Sequence, residues 1–155
     1  MCLRVKGYNP TPKIAEVDIP CYKLLKKAAI HYYSIYYGGE IPLEVIHGKE
    51  DYYASHSETS YERLIHSTND ILYSSIEQGY IHTYGTATVT DFGFFIEGAN
   101  AVIFKCIIPK GTEYFEGIYL NDIGYASRKI RFVKEISYPE LEQEIKAEKA
   151  KKDKQ

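Results

Sequence analysis

The chain has 155 residues, of which 45% are hydrophobic and 26% charged, and this balance fits one soluble globular domain. The formal net charge of −2 gives no global basic field, so bulk attraction to nucleic acid is not indicated. The three cysteines form no Cys-x-x-Cys pair, so neither disulfides nor a zinc site are expected. The N-terminus has no apolar signal region and the chain has no long apolar run, so we expect a cytoplasmic protein without a membrane anchor.

The first part of the chain predicts mainly strands. Prolines make residues 9–20 an extended connector, because proline fixes φ and removes a hydrogen-bond donor. Aromatic and β-branched residues then favour strands at 22–25 and at about 30–36. In "EIPLEVIHG" (40–48), apolar and polar residues alternate, which predicts a half-buried strand at a sheet edge.

The middle of the chain contains a polar stretch and the strongest strand signal. Residues 47–70 predict a long surface excursion with a short helical turn near 61–65. A strand is expected at 80–84, and Thr90 can cap a short helix at 90–98. Ala101–Ile108 is nearly all apolar and rich in β-branched residues, so we expect a central, buried strand.

The last part predicts a strand followed by a charged helix. "IYLNDIGYASRK" (118–129) is typical of a loop, whereas "KIRFVKEI" alternates as a strand with one wet face. Ser137 can cap a helix in the tail, residues 137–155. The expected fold is α+β: a mainly antiparallel twisted sheet with one short packed helix in a domain at 1–136, then the charged C-terminal helix.

The polar residues offer few candidate sites. The five histidines lack metal-ligand spacing, so no metal site is expected. His82, in "GYIHTYGT" (79–86), is the best candidate for chemistry, although a partly buried strand histidine bonded to its neighbours is the preferred interpretation. A basic and aromatic patch can hold a nucleotide or a single strand by stacking and phosphate contacts, but a solvated strand face is the preferred interpretation. Its members are Lys105, Lys110, Tyr114, Phe115, Tyr119, Arg128, Lys129 and Arg131.

Scattered motifs over residues 19–133 resemble a family of small proteins from bacteriophages and gut bacteria. They are "CYK" (21–23), the Gly-Tyr-x-His-Thr step at 79–83, "IPKGT" followed by Tyr114 and Gly117, and "YAS" followed by "KI" at 125–130. This resemblance implies no particular activity. It implies a phage-type accessory protein, in the cytoplasm of a host cell or in a virion.

A more remote likeness is to the ADP-ribosyltransferase fold. There, a first strand carries an aromatic and a basic residue, matched by Tyr22 and Lys23, and a second carries an aromatic-x-His-Thr step, matched by Tyr80, His82 and Thr83. The likeness implies catalytic roles for His82 and Tyr22, and nicotinamide or ribose contacts for the others. The glutamate of the third strand has no counterpart, since Asp122 stands there instead.

We therefore expect a binding protein whose ligand is a protein partner or a nucleotide-like molecule, without a cofactor. Candidate ligand-binding residues are Lys23, Tyr80, Thr83, Tyr84 and Arg128, beside the candidate catalytic pair His82 and Tyr22. The alternative is an ADP-ribosyltransferase-like enzyme, or a degenerate copy, with NAD as its ligand. A structural virion component is the third hypothesis.

Overall fold

A computed structural model describes residues 3–7, 10–35, 39–55, 60–65, 72–85, 100–119 and 122–153. Strands dominate these ranges, and all their pairings are antiparallel. Two helices are present in the same ranges, α1 (Leu43–Ile46) and α2 (Tyr138–Asp153). The strands are β1 (Leu3–Lys6), β2 (Lys13–Ile14), β3 (Ile19–Ala28), β4 (His31–Ser34), β5 (Glu40–Ile41), β6 (Tyr52–Tyr53), β7 (Ser60–Ile65), β8 (Leu72–Gln78), β9 (Ile81–Tyr84), β10 (Ala101–Ile108), β11 (Glu113–Tyr119), β12 (Asp122–Ser127) and β13 (Lys129–Ile136).

Hydrogen bonds join these strands into a single sheet in the order β6-β13-β10-β3-β9-β12-β11-β1-β8-β7. Off this path, β2 pairs with β11, β4 pairs with β3, and β5 pairs with β4. The expectation of an α+β fold with a mainly antiparallel sheet is confirmed in outline, with strands outweighing helices. The helix predicted at 90–98 lies outside the described residues.

The predicted central strand is confirmed, with the expected bounds. β10 pairs with β3 along its whole length, from Ala101 opposite Lys26 to Ile108 opposite Ile19, and it pairs with β13 on its other side. Each face of β10 packs into a hydrophobic core, so Ile103 and Phe104, which point to opposite faces, are both only 3% exposed. β10 therefore contributes buried side chains to both faces of the sheet.

Each face of the sheet carries its own hydrophobic core. The face A core lies under α2, whose Leu141 is fully buried in it. Its members are Leu3, Val5, Tyr22, Ile76, Tyr80, Tyr84, Ile103, Phe115, Ala126, Ile136 and Leu141. The face B core includes residues of α1, and its members are Ala15, Cys21, Leu25, Ile41, Val45, Ile46, Ile81, Phe104, Cys106, Ile108, Ile130 and Phe132.

The edge strand predicted at 40–48 is wrong beyond Ile41. β5 ends there, and a turn of helix follows Pro42, whose carbonyl accepts hydrogen bonds from the N–H groups of Val45 and Ile46. Proline favours the start of a helix because its missing N–H would have no partner in the first turn. Val45 and Ile46 are consecutive and both buried, which a half-exposed strand does not allow but a packed helical turn does.

The helical turn predicted at 61–65 is also wrong. Ser60–Ile65 is strand β7, which pairs with β8 through six residue pairs, from Ser60 opposite Gln78 to Ile65 opposite Leu72. The apolar alternation of this segment is too weak to predict a strand. Its conformation is fixed instead by backbone pairing with β8, which is a tertiary contact. The polar excursion from 47 to 70 thus contains sheet structure at both β6 and β7.

The loop predicted at 118–129 is instead most of a β-hairpin. β11 and β12 pair through six residues, with Gly117 directly opposite Gly124. A Cβ atom on Gly117 would lie 2.4 Å from the carbonyl oxygen of Arg4 in β1. Gly117 is therefore required because a neighbouring backbone approaches closely.

The predicted C-terminal helix is confirmed as α2, and it begins with a capping box. The Ser137 Oγ accepts a hydrogen bond from the N–H of Glu140 at 3.3 Å, and the Ser137 N–H donates to the Glu140 carboxylate at 3.4 Å. The Ser137 N–H and hydroxyl groups and Lys134 all donate to the Glu140 carboxylate and lower its pKa. Within the described ranges, neither helix is long and apolar enough to cross a membrane.

We expect Ser137→Ala to lower the free energy of unfolding by about 1 kcal/mol, because the first turn of α2 loses its side-chain cap. Urea denaturation followed by circular dichroism measures this loss. Ser137→Thr, which keeps the hydroxyl group, is the matched control and is expected to retain most of the stability. Equal stability of Ser137→Ala and the wild type would contradict a stabilising cap at this position.

Candidate functional site

The candidate site lies where β9 separates from β3. The two strands share a single pair, Tyr22 opposite Tyr84, whereas β9 pairs with β12 through four residues. Beyond that pair the carbonyl oxygen of His82 accepts a hydrogen bond from Lys23 Nζ at 3.0 Å. A lysine side chain therefore bridges the two strands where their backbones diverge.

Lys23 is a buried lysine without an acidic partner in the part of the chain that the structure describes. It is only 7% exposed, and strand alternation puts it on face B with Cys21 and Leu25. Its amino group makes one hydrogen bond there, to His82, and no salt bridge. Burial lowers the pKa of Lys23, because the charged form loses its hydration, while the thiols of Cys106 and Cys21 oppose this change.

Lys23 lines a cavity of about 50 Å³ that is open on one side. The other residues that line it are Ser34, Tyr52, Tyr53, Ala54, Ser55, Gly79, Tyr80, Ile81 and His82. Tyr53 is 63% exposed and stands at the solvent side. Among the described residues, no carboxylate lines this cavity, so Lys23 gives it a positive or electron-pair-donating character.

Arg128 hydrogen-bonds to two segments that line the cavity, at Ala54 and at Gly79. Its carbonyl oxygen accepts a hydrogen bond from the N–H of Ala54 at 2.9 Å, and its guanidinium donates to the carbonyl oxygen of Gly79 at 2.5 Å. The same guanidinium pairs with Glu113 at 3.0 Å and lies 4.1 Å from the centre of the Tyr80 ring. Arg128 therefore holds the cavity wall in place, with its guanidinium already engaged by protein groups.

Tyr80 lines the cavity and is held by the same support. Its hydroxyl group donates to Glu113 at 3.1 Å, and its ring packs edge-on against Phe115 in the face A core, with centroids 5.1 Å apart. Tyr80 is 7% exposed. Tyr80 and Arg128, both predicted to bind ligand, thus share the carboxylate of Glu113 as a common partner.

Tyr22 and His82, the predicted catalytic pair, lie on face A by strand alternation, and His82 is also among the residues that line the Lys23 cavity. The Tyr22 hydroxyl donates to Glu144 of α2, which also accepts a hydrogen bond from Lys105 at 2.9 Å. Burial and Glu144 raise the pKa of Tyr22. His82 Nε2 donates to the carbonyl oxygen of Ile76 at 3.0 Å, and burial lowers its pKa to about 4. The imidazole is therefore neutral near pH 7.

Thr83 and Tyr84 complete the predicted ligand-binding set, and both are buried in the sheet. Tyr84, 3% exposed, lies in the face A core. Thr83 is fully buried beside the Cys21 thiol, and its hydroxyl has no oxygen or nitrogen atom as hydrogen-bond partner in the described ranges. Burial raises the pKa of that thiol to about 12. Of the predicted site residues, Lys23, Tyr80 and His82 line the cavity.

Sequence reasoning missed the wall opposite Lys23, formed by Ser34 of β4 and by Tyr52, Tyr53 and Ser55 around β6. β6 is held by two backbone pairs to β13, which bring a short piece of the polar 47–70 excursion back to the sheet. The tyrosine pair in "DYYAS" (51–55) was the available signal, because adjacent aromatic residues in a polar stretch favour contact with a core. Tyr52 indeed packs against Phe132, with centroids 5.9 Å apart.

The predicted basic patch is largely neutralised by nearby carboxylates. Lys105 pairs with Glu144 at 2.9 Å, and Arg128 pairs with Glu113 at 3.0 Å. Arg131 and Lys129 both contact Asp51, at 2.8 and 3.8 Å. These contacts favour the interpretation of this surface as a solvated, internally paired strand face.

Within the described ranges, no group of three histidine, cysteine or acidic residues is placed to hold a metal ion. Comparisons with protein-family models, with curated proteins and with solved structures find no match to the chain. Function is therefore to be inferred from the geometry of the Lys23 cavity.

Proposed function

We propose that the protein is a binding protein whose ligand is a small molecule that presents an oxygen atom to Lys23. The observation that supports this most is a lysine amino group that is buried, lacks an acidic partner among the described residues and lines a cavity open to solvent. Burying an amine without a carboxylate costs stability, so such a group is typical of functional positions. A ligand oxygen would supply the partner that the protein does not.

The size of the cavity limits what enters it. A single water needs roughly 10–15 Å³ measured in the same way, so about 50 Å³ admits a group of a few non-hydrogen atoms. A carboxylate or a carbonyl group with a short chain fits this limit, and the rest of the ligand would extend past Tyr53. A whole nucleotide is too large to be enclosed, which narrows the expected nucleotide-like ligand to a small oxygen-bearing head group.

The charge and polarity of the walls support the same ligand class. Lys23 donates to a ligand oxygen, while Ser34, Tyr52 and Ser55 are hydroxyl-bearing residues that line the same space. A carboxylate would also favour the charged form of Lys23, because an opposite charge at short range raises a lowered lysine pKa. We therefore place small carboxylates and oxo acids first among the ligand candidates.

The ADP-ribosyltransferase-like alternative stays a prediction: Lys23, Tyr80 and His82 line the same cavity, whereas Tyr22 does not line it. Its catalytic candidates Tyr22 and His82 are engaged by Glu144 and by the Ile76 carbonyl on face A. A single NAD site uniting Tyr22, Lys23 and His82 would need side chains from both faces of one sheet.

We expect Lys23→Met to weaken binding of a small carboxylate ligand by about 10- to 100-fold, the usual loss for a hydrogen bond to a charged group. A panel of small carboxylates and oxo acids, screened by ligand-observed NMR and quantified by calorimetry, identifies the ligand and measures the change. Methionine matches the length of lysine without the amino group, so the cavity is expected to persist.

Lys26→Met is the matched control, because Lys26 lies on the same strand and is exposed. It is expected to bind as the wild type does. Thermal unfolding of Lys23→Met checks that the fold persists, since replacing a buried amine by an apolar side chain is often neutral or stabilising. Failure of the whole panel to bind, or equal binding by Lys23→Met and Lys26→Met, would refute the proposed function.

A further inference from the structure

We infer that Lys23 forms a reversible covalent imine with small aldehydes or ketones that enter the cavity, oxo acids above all. This inference rests on the proposed function and deepens it, because it assigns the lysine a chemical reaction in addition to a hydrogen bond. It concerns the residue that the cavity walls surround, and it uses only the amine, the ligand carbonyl and water.

The hydrogen bonds around Nζ favour an uncharged amine. An ammonium group has three N–H donors, and one acceptor, the His82 carbonyl oxygen, is present at 3.0 Å among the described residues. Two donors of a buried ammonium would therefore depend on the cavity for partners. A neutral amine has two donors and keeps a lone pair, and the lone pair is what attacks a carbonyl carbon.

The surroundings of Lys23 support the same protonation state. Thiols and apolar side chains surround its stem: Cys21 and Cys106 are fully buried, and Phe104 stands opposite Lys23 in the β3–β10 register. No carboxylate of the described residues pairs with it to hold its proton. Desolvated lysines without an acidic neighbour are the ones that proteins use as nucleophiles.

The reaction balances without an oxidant or reductant. The Nζ lone pair forms a C–N bond to the carbonyl carbon as the π bond of C=O breaks, and one proton of the amine moves to the oxygen to give a carbinolamine. The hydroxyl group then leaves with the second amine proton as water, and C=N forms. Hydrolysis reverses both steps, and water has access through the open side of the cavity near Tyr53.

The hydrogen bond to His82 positions the amine for this attack. It holds Nζ at the gap between β3 and β9, at the cavity wall, where an unrestrained lysine side chain would sample several rotamers. Because the acceptor is a backbone carbonyl oxygen, the restraint does not depend on the ionisation of another side chain. It also leaves the lone pair of the neutral amine unused by the protein.

Reductive trapping tests the inference directly. The full-length protein is incubated with pyruvate and sodium cyanoborohydride at neutral pH, and peptide mass spectrometry locates the reduced adduct. We expect modification of Lys23 ahead of the other lysines, loss of this adduct in Lys23→Met, and retention of the adduct at Lys23 in Lys26→Met. Propionate, which has the carboxylate but no ketone, is expected to compete with pyruvate and slow the trapping.

The outcomes distinguish imine formation by Lys23 from ligand binding without a covalent bond. Binding of both pyruvate and propionate in a Lys23-dependent manner, without a reduced adduct at Lys23, would overturn the imine and leave the proposed function standing. Modification spread evenly over Lys23 and exposed lysines such as Lys26 would also overturn it. Failure of the whole ligand panel, pyruvate included, to bind would overturn the proposed function as well.

Discussion

Phe132→Ala is expected to lower the free energy of unfolding by about 4 kcal/mol, because it removes a large ring from a closely packed core. Phe132 is 1% exposed. Its ring meets Phe104 edge-on, with centroids 5.3 Å apart, and contacts Tyr52 with centroids 5.9 Å apart. The aromatic contacts add to the area that the ring buries, so the cavity left by alanine is costly.

Chemical denaturation of Phe132→Ala and of two reference variants measures this effect. Phe132→Leu refills part of the space and is expected to lose clearly less stability. Val133→Ala shortens the next side chain of β13, which is 48% exposed, and should change the stability little. A loss for Phe132→Ala no larger than for Val133→Ala would show that the face B core is not packed as described.

Phe132→Ala is also expected to affect the Lys23 cavity. Tyr52 lines the cavity and rests on Phe132, and a Cβ atom on Gly48 would lie 2.8 Å from the Phe132 carbonyl oxygen. The α1 turn and β6 are thus both placed by β13 near this residue. A ligand that binds at Lys23 should therefore bind more weakly to Phe132→Ala than to Phe132→Leu.

Local sequence patterns were enough to predict β10 and α2. Ala101–Ile108 is nearly all apolar, which is typical of a strand that is covered on both faces, and Ser137 with Glu140 forms a local cap. The hairpin of β11 and β12 was not predictable in this way. Glycine is required at position 117 because the backbone of Arg4, a residue more than a hundred positions away in the chain, approaches it closely.

The composition of the site was predictable only in part, because a strand divides its residues between two faces. Tyr22 and Lys23 are adjacent in sequence, and a motif that takes both suggests one site. Because side chains alternate between the faces of a sheet, Tyr22 points to face A, where it contacts Glu144, whereas Lys23 points to face B, where it lines the cavity. Ser34 and Tyr52 reach Lys23 only through the long-range pairing of β4 with β3 and of β6 with β13.

His82 is expected to make the protein acid-sensitive. Burial lowers its pKa from 6.5 to about 4 in the folded state, so between these values the unfolded chain binds a proton that the folded protein does not. Above pH 6.5 both states are neutral and the full stability is present. As the pH falls from 6.5 towards 4, His82 is expected to remove up to about 3 kcal/mol of the free energy of unfolding.

His82→Gln isolates this contribution, because a glutamine amide can donate to the Ile76 carbonyl oxygen and does not titrate. Urea denaturation of both proteins at several pH values between 7 and 4 gives two stability curves. Acidic groups such as Glu144, whose pKa is lowered, titrate in both proteins, so their effect cancels in the difference. The wild type should lose stability relative to His82→Gln as the pH falls, since only the wild type must keep a buried imidazole uncharged. Parallel curves would mean that His82 is solvated well enough to take up a proton in the folded state, and a catalytic role on face A would then regain support.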